Sequence, residues 1–199
     1  MSTLRYGFAL TRQLTLILVL ALAVMPIAWA HKGHAGKMVE FMELKPTVKQ
    51  LLPDNVKVTE RKQEISKDDE TWVKTQLKAN AVPGMHTFYL AKDSSSNAVV
   101  AGVFIKGVPF HHGEIKLAIG LNKQNKISGV VIMATNEKYV DDVKNGIGSG
   151  LVDKFKGMSL EQLLSEAATS REGKTAKDVV LNGLADAGTT LAALIHGVK

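Results

Sequence analysis

A short segment near the C-terminus, Gly188-Thr189-Thr190, has the residue types that hold a phosphate where a helix begins. Glycine lets the backbone approach a ligand closely, and threonine hydroxyls add hydrogen-bond donors. The run Leu191–Leu194 predicts a helix whose first N–H groups are unpaired and lie at the positive end of the helix dipole. Lys174 and Lys177 would add positive charge. The segment therefore predicts a phosphate site.

Asp186 supports a different interpretation of the same segment. A carboxylate at the N-cap of this helix would satisfy the N–H groups that a phosphate needs, and it would repel the phosphate. The alternative is an ordinary capped C-terminal helix with threonines in its first turn. The residues alone leave both interpretations open.

The histidines suggest a metal site as a minor alternative. If export leaves His31 at the N-terminus, its amine and imidazole form a chelating pair for copper, with His34 three residues further on. His111 and His112 are adjacent, and adjacent side chains of an extended segment point to opposite sides. No acidic residue stands near them at ligand spacing. Periplasmic metal binding would thus involve His31 and His34.

The composition excludes several kinds of chemistry. The chain contains no cysteine, which excludes disulfides, thiolate zinc sites, Cys-ligated iron–sulfur clusters and cysteine nucleophiles. It also lacks GxSxG, HExxH and paired-carboxylate patterns, so no catalytic residue is predicted. The excess of 25 Lys+Arg over 19 Asp+Glu is spread along the chain and does not require a nucleic-acid partner.

Residues 1–30 have the pattern of a secretory signal peptide. Two arginines flank an apolar run, Leu14–Met25, and small residues follow at Ala28 and Ala30. This A-x-A pattern predicts cleavage before His31. An uncleaved anchor is the alternative, because the apolar stretch is about as long as the shortest membrane spans. Both versions place the remaining chain in the periplasm or on the outer face of the cytoplasmic membrane.

The exported chain is predicted to consist of an N-terminal helical extension, 31–84, and a second region, 85–199. The extension contains a predicted short helix at Val48–Leu52. A second helix begins at a capping box formed by Ser66 and Asp69, in which each residue's side chain bonds the other's backbone N–H.

The second region is predicted to form an α+β fold. Four segments rich in β-branched and aromatic residues predict strands: His86–Ala91, Ala98–Lys106, Glu114–Leu121 and Lys126–Ala134. Short loops, including one at Gly107–Gly113, predict an antiparallel meander. A capping box at Ser159 and Gln162 predicts a helix over Leu160–Ala168, and Ala192–Ile195 suits a closing helix. The helices would pack on the sheet.

Several segments of this region follow the order of one family's motifs. They are Gly113–Leu121, Gly129–Met133, Asn136-Glu137, the F-x-x-F-x-G-K-S-like residues Leu151, Phe155, Lys156-Gly157 and Ser159, and the S/T-G-A-T-like Ala187-Gly188-Thr189-Thr190. On these residues the chain resembles the periplasmic FMN-binding domain family. That family includes the flavin-carrying subunits of the Rnf and sodium-pumping NADH:quinone reductase complexes.

The resemblance implies FMN as the cofactor, with Gly188, Thr189 and Thr190 at its phosphate. In family members with the full D-x-x-S/T-G-A-T motif, the final threonine is esterified to FMN by a flavin transferase, and Thr190 is the matching residue here. The residues that depart from that motif are Leu184, Asp186, Ala187 and Thr189. We therefore expect FMN to be held non-covalently or attached inefficiently.

The resemblance also implies a place for the flavin ring. A flat isoalloxazine needs an apolar slot with a few polar groups at its edge, and Asn136 or Glu137 would supply such a group at a strand end. The aromatic candidates, each with core packing as its alternative, are Phe104, Phe110, Tyr139 and Phe155.

The sequence thus predicts an exported FMN-binding protein that transfers electrons with a membrane or periplasmic redox partner. The alternative is a cofactor-free binding or assembly module of a redox complex, which keeps the fold and has lost the flavin.

Overall fold

One antiparallel sheet organises residues 34–170 and 173–198, the part of the chain that the structure, a computed structural model, describes. Its strands are β1 (Met38–Glu40), β2 (Val56–Glu64), β3 (Met85–Asp93), β4 (Val99–Phe110), β5 (Gly113–Asn122), β6 (Ile127–Asn136) and β7 (Gly150–Leu151). Six strands lie in the order β1-β6-β5-β4-β3-β2, and β7 pairs with β6. The predicted signal peptide, 1–30, and its cleavage site at His31 lie outside the described residues.

Five α-helices are present in the described part of the chain. They are α1 (Leu44–Leu51), α2 (Lys67–Gln76), α3 (Val140–Gly146), α4 (Leu160–Thr169) and α5 (Ala176–His196). Two short 3₁₀ turns, Glu137–Tyr139 and Asp153–Phe155, flank α3 and β7.

The two faces of the sheet are covered unequally. Helices α2 to α5 contribute to the main core on one face, where Phe88, Ile119 and Leu163 are fully buried. On the other face α1 is the one described helix that packs on the strands, through Val48 and Leu51. The main core contains more buried apolar side chains than the other face, so it contributes most of the hydrophobic stabilisation of the sheet.

The predicted α+β fold with an antiparallel meander is confirmed. Each of the four predicted strands is present, and β3 to β6 pair in sequence order. The capping boxes at Ser66 with Asp69 and at Ser159 with Gln162 form as predicted and begin α2 and α4.

The description of residues 31–84 as a helical extension is incomplete. This segment also supplies β1 and β2, and β2 pairs with β3 along its whole length, from Val56 with Asp93 to Glu64 with Met85. The strand was missed because its sequence, VKVTERKQE, is largely charged and its side chains are mostly exposed. An edge strand of this kind has little of the apolar alternation that marks a strand in sequence.

The predicted Gly107–Gly113 loop is shorter than expected. Strand β4 continues to Phe110, which pairs with Gly113, so that only His111 and His112 form the turn. Pro109 lies within the strand opposite Glu114, whose carbonyl accepts the Thr135 hydroxyl at 3.1 Å. Glu114 directs its carbonyl, and also its N–H, which Asn136 accepts, toward β6 and not toward Pro109, so the missing proline N–H leaves no acceptor on Glu114 unpaired.

Helix α5 is the one described helix long and apolar enough to cross a membrane by length and composition. However, 72% of its most apolar 18-residue window is buried within the fold. This burial is typical of the core helix of a folded domain, because the apolar surface of such a helix is covered by other parts of the protein.

Candidate functional site

The closing helix begins at Thr175. The Thr175 hydroxyl accepts the N–H of Asp178 at 3.2 Å, and the Asp178 carboxylate accepts the Thr175 hydroxyl at 2.6 Å and the Thr175 N–H at 3.3 Å. The first helical hydrogen bond runs from the N–H of Val179 to the carbonyl of Thr175 at 3.0 Å. The N-terminal end of α5 therefore lies immediately after Gly173-Lys174-Thr175.

The prediction that a helix begins at Gly188-Thr189-Thr190 is wrong. These residues lie in the interior of α5, where each backbone N–H bonds a carbonyl of the preceding turn. The Thr189 hydroxyl lies 3.1 Å from the carbonyl of Asn80, and the Thr190 hydroxyl accepts the N–H of Val82 at 3.2 Å. Both threonine side chains are buried. No helix-start phosphate site exists here.

Gly188 has a packing role instead. An ideal Cβ at this position would lie 2.5 Å from Cδ1 of Leu160 and 3.4 Å from Cδ1 of Ile119. Glycine thus allows α4 to lie against α5, and it does not open the helix.

Asp186 is not an N-cap either. It lies on the outer surface of α5, and its carboxylate accepts Nζ of Lys106 at 2.8 Å. Because both partners are partly exposed, this pair contributes little stability.

Asn136 and Glu137, at the end of β6, form hydrogen bonds with neighbouring segments of the chain. The Asn136 side chain accepts the N–H of Glu114 at 2.8 Å and donates to the carbonyl of Gly36 at 3.0 Å. The exposed Glu137 packs on Gly36, and its N–H donates to the carbonyl of Lys37 at 2.8 Å. Neither residue contacts Gly188–Thr190, so the predicted ring and phosphate residues are not brought together.

A cleft of about 520 Å³ lies at the start of α5. This volume is within the range of about 300–1,000 Å³ that is typical of small-molecule sites. The side chains that line it come from the β4–β5 turn, from α3 and from the start of α5. They include Phe110, His111, Asp142, Asn145, Lys174 and Lys177.

Three aromatic rings form one wall beside this cleft. Phe110 is buried, and its ring centroid lies 5.1 Å from that of Tyr139 and 4.3 Å from that of His111. The Tyr139 hydroxyl accepts the N–H of His112 at 3.3 Å, which ties the turn to this base. His111 adopts φ of 50°, a left-handed conformation that the tight turn imposes. The exposed ring of His111 therefore packs on the buried ring of Phe110.

The charge at the helix start is mostly positive. Lys174 and Lys177 are exposed on either side of Thr175, and the first-turn N–H groups of Ala176 and Lys177 have no acceptor within the helix. The helix dipole adds partial positive charge at the same place. An oxyanion is the ligand that this set of donors can hold.

Asp178 is the opposing charge at the helix start itself, and Asp142 of α3 also lines the cleft. The hydrogen bond from the Thr175 hydroxyl holds the pKa of Asp178 below its ordinary value of 3.8, so the carboxylate is ionised near neutral pH. Asp178 therefore competes with any anion for the helix start, which is the role that the sequence analysis gave to Asp186.

The signal for this helix start was present in the sequence. Thr175-x-x-Asp178 is a capping-box pattern of the same kind as those at Ser66 and Ser159, and Lys174 and Lys177 flank it with positive charge. By contrast, the wall at Phe110 and His111 is about sixty residues away in sequence, and the local pattern does not place it near Thr175.

No metal cluster is formed by the side chains of residues 34–170 and 173–198: they contain no group of three or more His, Cys, Asp or Glu that could hold a metal ion. His31, the first member of the predicted copper pair, lies outside this part of the chain.

Comparisons of the chain with models of protein families, with curated proteins and with solved structures find no match.

Proposed function

We propose that this protein binds FMN at the start of α5 and transfers electrons with a redox partner in the periplasm or at the outer face of the membrane. One observation supports the proposal most. The fold brings a helix start with two flanking lysines into the same cleft as an aromatic wall. A phosphate and a flat ring need these two environments side by side.

The phosphate would lie at the N-terminal end of α5. The N–H groups of Ala176 and Lys177 are its backbone donors, and the ammonium groups of Lys174 and Lys177 neutralise its charge. Gly173, which has no side chain, leaves room for the Asp178 carboxylate to lie against its backbone. The carboxylate of Asp178 already occupies part of this end and limits the affinity.

The ring would lie against the aromatic wall. His111 presents an exposed ring above the buried Phe110, and Asn145 supplies an amide at the edge of the cleft. When bound, FMN supplies one- or two-electron redox chemistry, which a chain without cysteine does not otherwise carry. The residues of the chain bind, orient and partly shield the ring.

The structure changes the expectation for covalent attachment. Thr190 is fully buried and its hydroxyl is engaged with Val82, so a flavin transferase has no access to it. Thr175 is exposed at the helix start. If this chain is flavinylated, we expect the ester at Thr175.

FMN and riboflavin titrations test the proposal directly, since the two ligands differ only in the phosphate. We expect Lys174→Gln/Lys177→Gln to weaken FMN binding by about 10- to 30-fold, which corresponds to about 1 kcal/mol per lost charged contact, and to leave riboflavin unchanged. Lys62→Gln/Lys126→Gln removes the same charge from exposed sites outside the cleft and should affect neither ligand. Equal affinity for FMN and riboflavin in the wild-type protein would refute the phosphate site.

A cofactor-free binding module is the second candidate function. An open apolar groove of about 480 Å³ lies between α1 and β2, and Leu44 and Val58 on its walls are 42% and 46% exposed. Exposed apolar surface of this kind is typical of partner contacts. Protein purified from its native periplasm without flavin absorbance, together with no binding in the titrations, would favour this function over the first.

A further inference from the structure

A second polar cluster lies at the opposite end of α5, about 30 Å along the helix from Thr175. His196, in the last turn, stacks on Trp72 of α2 with ring centroids 4.4 Å apart and an interplanar angle of 15°. Its Nδ1 lies 2.9 Å from the Asp69 carboxylate. The imidazole is therefore fixed in both position and orientation.

Asp69 sets the direction of the His196 ring. This carboxylate is only 5% exposed and accepts hydrogen bonds from the hydroxyl and the N–H of Ser66. Burial raises the pKa of Asp69, but the hydrogen bonds from Ser66 and His196 outweigh it and leave the pKa below its ordinary value. An ionised Asp69 accepts the Nδ1–H of His196, which leaves Nε2 directed away from the carboxylate.

His196 and Trp72 line a cleft of about 430 Å³. Its apolar part is formed by Val99 and Ile195, and two lysines, Lys92 and Lys123, also line it. Neither lysine has an ion-pair partner among residues 34–170 and 173–198. The cleft thus combines an apolar wall with cationic groups whose charge the described side chains leave unneutralised.

The charges around the cleft sum to a positive value. Lys92 of β3 and Lys123 of the β5–β6 turn line it, no carboxylate is among the described side chains that line it, and Asp69 of α2 bonds His196. The last carbonyls of α5 are engaged, with Gln63 donating to Leu194 at 3.4 Å. The negative end of the helix is therefore partly satisfied by the protein itself.

We propose that this cleft binds a small organic anion, with a carboxylate or phosphate group held by Lys92 and Lys123 and an apolar body held by Trp72, Val99 and Ile195. This site is separate from the proposed flavin site. A ligand with only one of its two parts, the charge or the apolar body, should bind more weakly, because each part would be held by different lining side chains.

Tryptophan fluorescence provides the test. The chain has two tryptophans, so the full-length Trp29→Phe variant retains Trp72 alone as the reporter. Benzoate and phenyl phosphate are the probes that carry both parts, and their relative affinity distinguishes a carboxylate site from a phosphate site. Inorganic phosphate lacks the apolar body, and benzyl alcohol lacks the charge. We expect one of the first two to quench Trp72 saturably at a concentration at least tenfold below either control.

A pair of double variants completes the test. In the same Trp29→Phe background, Lys92→Gln/Lys123→Gln should weaken the binding of the better probe at least tenfold. Lys62→Gln/Lys126→Gln, which removes two lysines outside the cleft, should leave it unchanged. If no probe binds, if benzyl alcohol binds as well as benzoate, or if the two double variants bind equally, the proposal is wrong. The Asp69–His196 contact would then serve only to hold α5 against α2.

Discussion

Two glycine–threonine segments of α5, Gly173-Lys174-Thr175 and Gly188-Thr189-Thr190, have similar residue types and opposite roles. The first lies before the helix, exposed, with two lysines beside it. The second lies in the middle of the helix, buried against α4 and the loop before β3. Composition suggests a phosphate site at both, but only a segment outside the helical hydrogen bonds has N–H groups to offer.

Gly188→Val should have the largest effect. Because an added Cβ would already lie 2.5 Å from a fully buried Leu160, the branched side chain has no space, and we expect the free energy of unfolding to fall by about 2 kcal/mol or more. Urea denaturation measures the loss. Gly146→Ala, whose Cβ would contact nothing nearer than 3.5 Å, is the matched control and should be close to neutral. A stable Gly188→Val protein would contradict the packing role.

Thr190→Val and Thr175→Val should separate the two segments by function. At Thr190 the change removes the acceptor for the N–H of Val82 and should cost about 1–2 kcal/mol of stability without changing FMN affinity. At Thr175 it removes the helix cap, which costs about 1 kcal/mol, and it also weakens FMN. Unfolding and FMN titration of both variants provide the comparison. Weaker FMN binding in Thr190→Val alone would reverse the assignment.

Asp178→Asn should have the smallest effect and the opposite direction. Asparagine can still accept the Thr175 hydroxyl, but it lacks the charge that competes with a phosphate, so we expect FMN to bind about two- to threefold more tightly. The depressed pKa of Asp178 means that the carboxylate is charged above 3.8. The difference between variant and wild type should therefore persist from pH 5 to 8 and disappear only as the pH falls below 3.8.

Acid should also remove the contribution of Asp178 to the helix cap. Because its pKa is lower in the folded chain than in the unfolded chain, the stabilisation is present above the ordinary value and is lost as the pH falls through the folded value. Asp178→Asn should show less of this loss. Equal FMN affinity of variant and wild type at pH 7 would mean that Asp178 does not oppose the ligand.

The sequence contains enough local information to predict most of the sheet. Strands β3 to β6 carry β-branched alternation, and the helix caps at Ser66 and Ser159 are short-range patterns that need no tertiary context. Strand β2 was missed because its register with β3, and not its own residue types, makes it a strand.

The site was harder to predict for a related reason. A glycine that opens a helix and a glycine that lets two helices approach are the same residue in sequence, and the contact with Leu160 decides between them. The aromatic wall meets the start of α5 through the packing of β4 and α3 against that helix. This packing is not local in sequence, so residue patterns alone placed the phosphate in the interior of α5 and not at its start.

Backbone amide chemical shifts would test the central claim most directly. In a ¹H–¹⁵N spectrum of the protein titrated with FMN and, separately, with riboflavin, we expect the amides of Ala176 and Lys177 to shift strongly with FMN and weakly with riboflavin. The amides of Gly188, Thr189 and Thr190 should stay in place with both ligands. Shifts centred on Gly188–Thr190, or identical shifts of Ala176 and Lys177 with the two ligands, would contradict a phosphate site at the start of α5.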